Sequence, residues 1–72
     1  DQDGDGADVM TIVTADDLQA GDVIVAPADY YGETVEWTTL AGGLRLVKTD
    51  KRETKDLIRM ERKALVNVRG RQ

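Results

Sequence analysis

The sequence predicts an all-β domain of about five or six short antiparallel strands. Three observations carry this expectation. Short runs rich in Val, Ile and Thr recur along the chain, and such residues fit a pleated, half-buried surface. The runs are separated by clusters of Gly, Pro, Asp and Glu, which punctuate local structure. Apolar and polar residues alternate inside several runs, so one face of each can turn inward. At 72 residues the chain is long enough for one domain.

The elements follow in order. Residues 1–8, DQDGDGAD, have no large apolar group to anchor them, and their crowded carboxylates repel, so a disordered acidic tail is expected. Asp1, Asp3, Asp5 and Gly6 match the opening of a calcium loop, but Ile12 stands where that loop needs a bidentate Glu. A solvated tail is therefore preferred to a calcium site. The β-branched run at 9–14 reads as a first strand, with residues 9–70 forming the domain. A turn containing Gly21 leads to a second strand at 23–26, closed by Pro27, which cannot donate to a ladder. Residues 34–40 alternate Val35, Trp37 and Thr39 against Glu36 and Thr38, giving a third strand. The sequence Ala41-Gly42-Gly43 turns the chain into a fourth strand at 44–49, as a hairpin.

Residues 54–60 allow two readings. Asp50 and Glu53 have capping-box spacing, and Leu57, Met60 and Ala64 recur at helical intervals. As a strand, Ile58 and Met60 share one face, and a set of short strands needs its edge closed. The strand is the expectation, with a tight turn at 61–63 and a last strand at 64–69. Val13, Val23, Val25, Val35, Leu46, Ile58, Val66 and Val68 are the expected core. Trp37 is read foremost as a core residue, since the chain has no Phe.

The segment ADDLQAGDVIV resembles the opening of SH3-like small β-barrels, in which a Leu-x-x-Gly-Asp-x-Ile pattern crosses from one strand through a turn into the next. Those positions are Leu18, Gly21, Asp22 and Ile24. The resemblance implies that Leu18 tucks beneath the barrel, that Gly21 adopts a left-handed conformation, and that Asp22 bonds turn amides. The later Trp-bearing strand and the final ALVNVR look like the same fold. The pattern over residues 9–70 is also similar to small uncharacterised proteins of actinobacteria and their phages. Such barrels bind nucleic acid, peptides or proteins, and the fold does not choose among them.

Composition narrows the chemistry. The chain contains neither His nor Cys, and no Ser. Ser–His and Cys–His nucleophilic catalysis and a His/Cys zinc site are thereby excluded. No carboxylate pair is marked out for acid–base work, so the expectation is a non-enzyme with no cofactor and no small-molecule substrate. The sequence has no apolar run long enough to span a membrane as a helix, and its acidic start lacks the character of a signal peptide. A cytoplasmic protein is expected.

Charge is the most uneven feature. All 10 Lys and Arg residues lie in 44–72, where only Asp50, Glu53, Asp56 and Glu61 oppose them, while residues 1–43 hold acidic groups alone and the net charge is −4. The two halves can pair with each other across strands. Alternatively, Arg45, Lys51, Arg52, Lys55, Arg59, Arg62 and Lys63 can line one rim as a nucleic-acid surface, salt-sensitive and largely blind to base sequence. A second candidate is Tyr30, Tyr31 and Trp37, large amphipathic groups of the kind that dominate protein contacts. The expected function is thus a binding module whose basic half contacts nucleic acid or another polyanion. A protein-interaction or phage-assembly module using the acidic Tyr30/Tyr31 loop is the first alternative, and an acidic DNA mimic the second.

Overall fold

A computed structural model of the protein describes residues 9–71. The tail expected at residues 1–8, with its calcium-like carboxylates, lies outside the described residues. Among the described residues the fold is all-β, with six antiparallel strands in two three-stranded sheets. The strands are β1 (Met10–Thr14), β2 (Val23–Ala26), β3 (Val35–Ala41), β4 (Leu44–Thr49), β5 (Ile58–Glu61) and β6 (Leu65–Arg69). One sheet has the order β1-β6-β2 and the other β3-β4-β5. The ladder does not close into a barrel. The sheets are instead joined where β2 runs toward β3, through a single bridge pair between Val23 and Thr34. Backbone bonds from Gly21 N–H to Val35 O, Val35 N–H to Asp22 O and Ile24 N–H to Glu33 O, each 2.8 Å, reinforce that junction.

Local chemistry explains the connections. Gly42 and Gly43 both have positive φ (60° and 80°), the conformation a two-residue hairpin needs between β3 and β4. Gly21 has φ 98°, as the Leu-x-x-Gly-Asp pattern implies, and its amide is spent on the junction with β3. Pro27 follows β2 directly, and the Ala26–Pro27 peptide is cis.

The ambiguous segment is not a long helix. Residues 54–56 form a single 3-10 turn, and the strand begins only at Ile58. Asp50, the candidate helix cap, instead accepts a bond from the Thr34 N–H at 2.9 Å. Once Asp50 is committed to the start of β3, no helical first turn can form on it. Pairing of β5 with β4, from Leu44–Glu61 to Val47–Ile58, then fixes the segment as extended chain.

The core is assembled from Val13, Leu18, Ile24, Val35, Val47, Ile58, Met60, Val66 and Val68, with Ala15. Leu18 lies in it, as the resemblance implies. Three expected members do not. Val23, Val25 and Leu46 are only half-buried, and their neighbours Ile24 and Val47 are fully buried in their place. A one-residue shift of phase exchanges the two faces of a strand, and here it does so in β2 and β4. Trp37 is likewise not a core residue, being 42% exposed. A bulge in β3 between Val35 and Trp37 breaks the alternation, so Val35 points in and Trp37 points out.

Candidate interaction surface

Acidic groups of the first half pair with basic groups of the second across the fold. Asp16, in the turn after β1, receives Arg45 Nη2 and Arg62 Nε, both at 2.9 Å. These bonds tie β1 to β4 and to the β5–β6 turn. The bond from Arg45 chiefly, and then Arg62, hold the Asp16 carboxyl below its ordinary value, against an opposing push from partial burial. Glu33 is buried and accepts from the Thr49 hydroxyl and from Arg52 Nε at 2.9 Å. The Arg52 guanidinium also lies 5.2 Å from the centre of the Tyr30 ring. Its proton is held more firmly than usual, first by the bond to Glu33. Asp22 is buried, accepts from the Gln19 N–H at 2.9 Å, and is clasped by Arg71 at 2.7 Å. That clasp raises the Arg71 pKa above its usual value. Lys48 bonds Glu36 across the β3–β4 ladder at 2.8 Å.

The seven cations expected on one rim therefore divide. Arg45, Arg52 and Arg62 are engaged with acidic residues of the first half. Lys51 and Lys55 are exposed at the 50–57 connection and make only loose contacts, 4.0 Å to Asp50 and 3.6 Å to Glu53. Arg59, on the edge strand β5, and Lys63, in the β5–β6 turn, are exposed and form no ion pair among the described residues. The aromatic trio divides too. Tyr30 packs against the core, Tyr31 is exposed in the adjoining turn, and Trp37 stands on the outer face of β3 opposite Lys48.

A different set of residues brings exposed apolar side chains together on one sheet face. On the outward side of the β1-β6-β2 sheet, Met10 pairs with Arg69, Ile12 with Asn67, and Thr14 with Leu65. Met10, Ile12 and Leu65 are 59%, 64% and 68% exposed. This face was not among the sequence-derived candidates. Both sides of the VMTIVT run are largely apolar, so its outward side carried no mark. Leu65 did carry one, since it falls out of phase with Val66 and Val68 in β6. No pocket and no cluster of metal-ligating side chains is found among the described residues. Comparison with protein-family models, curated proteins and solved structures gives no match.

Proposed function

We propose that the protein is a small non-enzymatic protein-interaction module that receives a partner protein on the outer side of the β1-β6-β2 sheet. The observation that carries this reading is the cluster of Met10, Ile12 and Leu65, large apolar side chains left in water on one sheet face. Exposed apolar groups gathered in one place, with polar groups around them, mark contact surfaces. Asn67 and Arg69 on β6 supply polar groups beside them. The engagement of Arg45, Arg52 and Arg62 with Asp16 and Glu33 also favours a protein partner over a polyanion, because binding phosphates there would mean giving up those bonds. The same reading takes the two bridged sheets as an opened form of the SH3-like small barrel.

Retention of proteins on the immobilised domain, from a lysate of the cell that makes it, provides the test when run beside two variants. A partner held at high salt, lost with Leu65→Lys and kept with Arg59→Ala, is the expected outcome. Leu65 and Arg59 are both exposed, so neither change disturbs the core. A partner indifferent to Leu65→Lys would overturn the reading. So would saturable binding of an oligonucleotide that falls steeply with salt and is lost on replacing Lys51, Lys55, Arg59 and Lys63.

A further inference from the structure

The edges of the two sheets are not equally protected. At the outer edges of the β3-β4-β5 sheet, β3 carries Glu36 and β5 carries Arg59 and Glu61, charges of the kind that discourage another strand from pairing. At one edge of the other sheet, β2 is covered by its junction with residues 32–35. The remaining edge strand, β1, reads Met-Thr-Ile-Val-Thr and has no charge, no Pro and no bulge in its pairing with β6.

The hydrogen-bond phase of β1 can be worked out. Ala15 N–H bonds Ala64 O at 2.9 Å, continuing the β1–β6 register by one pair. In an antiparallel ladder bonded and non-bonded pairs alternate, so Val13 and Thr11 direct their backbone groups at β6. The N–H and C=O of Met10 and Ile12 consequently point to the open side. Neither residue has a backbone partner there among the described residues. The side chains that flank this open edge are the exposed Met10 and Ile12.

We infer that β1 accepts an added β-strand from the partner, an extended segment with alternating apolar residues and basic residues at its ends. This inference rests on the interaction reading above and specifies its mode. Main-chain bonds to Met10 and Ile12 supply affinity, and apolar side chains laid beside Met10 and Ile12 supply selectivity. The basic flanks follow from charge. Asp17, whose carboxylate is in no ion pair among the described residues, follows β1 closely, and Asp8, Asp5, Asp3 and Asp1 precede it in the sequence. A second copy of this chain is a poor occupant, because it brings the same acidic flanks to both ends of the pairing.

The test uses a labelled peptide of alternating valine and threonine with paired lysines at both ends, followed by fluorescence anisotropy. Its controls are a glutamate-flanked counterpart and a counterpart N-methylated along one edge, which cannot complete the ladder. The lysine peptide should bind, and each counterpart should bind roughly tenfold or more weakly. Ile12→Pro should weaken binding similarly, since it removes a donor from the open edge and none from the β6 ladder. Equal binding of the N-methylated or glutamate peptide would overturn the inference, and the peptide controls do so even if Ile12→Pro fails to fold. Failure of every peptide, alongside a natural partner still lost with Leu65→Lys, would discard strand addition and leave the interaction reading standing. Failure of both would remove both.

Discussion

Glu33 carries the clearest energetic consequence of any single residue. It is buried, and its carboxylate is satisfied by the Thr49 hydroxyl and the Arg52 guanidinium. Arg52→Ala leaves that carboxylate without its counter-charge. Removing one partner of a fully buried pair costs about 3–5 kcal/mol. The Arg52 side chain is 21% exposed, so water recovers part of the loss and about 2–3 kcal/mol is expected. Arg59→Ala, at an exposed position, should stay within about 0.5 kcal/mol, and urea denaturation of both variants checks the contrast. Asp16 supplies a pH dependence. Its folded pKa is depressed by Arg45 and Arg62, so its contribution is complete above the ordinary value of 3.8 and is lost as pH falls through the lower folded value. The stability gap between wild type and Asp16→Asn should therefore be present at neutral pH and shrink below about pH 4, as read from urea midpoints. The burial of Leu18, the positive φ of Gly21 and the Asp22 bond to the Gln19 amide are what the resemblance implied for that turn. The role of Glu33 was not legible, since many carboxylates crowd the first half and only tertiary pairing selects which one is buried.

The elements themselves were more legible than the faces they present. Short apolar runs bounded by turn residues located the strands, and β2 and β4 fall where the runs fall. Alternation could not say which side of β2 or β4 turns inward, because Val23, Ile24 and Val25, like Leu46 and Val47, are apolar on both sides. The choice is made by distant groups. Ile24 lies opposite the fully buried Val68 of β6, which sets it on the inward face. Val47 shares the inward side of β4 with Thr49, which bonds Glu33, and with Arg45, which reaches Asp16. Accordingly, Ile24→Ala should cost about 2–5 kcal/mol. Leu46→Ala should cost clearly less, since Leu46 is only half-buried. Thermal or urea unfolding distinguishes the two, and an equal loss would mean that the phase of β4 is wrong.

For the whole molecule, folding brings part of the segregated charge together among the described residues. Acidic residues of the first half and arginines of the second meet as Asp16 with Arg45 and Arg62, Glu33 with Arg52, and Asp22 with Arg71. These pairs connect strands and turns far apart in sequence, where no local pattern could foretell them. Of the candidate surfaces, the basic residues were legible as charge, but how they are spent depends on the fold. The apolar face on β1 and β6 became visible only when the register set Met10, Ile12 and Leu65 on one side of a sheet. Arginines thus fasten the fold, and the uncharged edge of β1 is the contact surface proposed for a partner. Amide chemical-shift mapping tests it most directly, with the lysine-flanked peptide and, separately, a short oligonucleotide titrated into the isotope-labelled protein. Shifts concentrated at Met10, Ile12, Thr14 and Leu65 with the peptide, and none that saturate with the oligonucleotide, are the expected result. Saturable oligonucleotide shifts around Lys55, Arg59 and Lys63, with the β1 amides unmoved by the peptide, would contradict it.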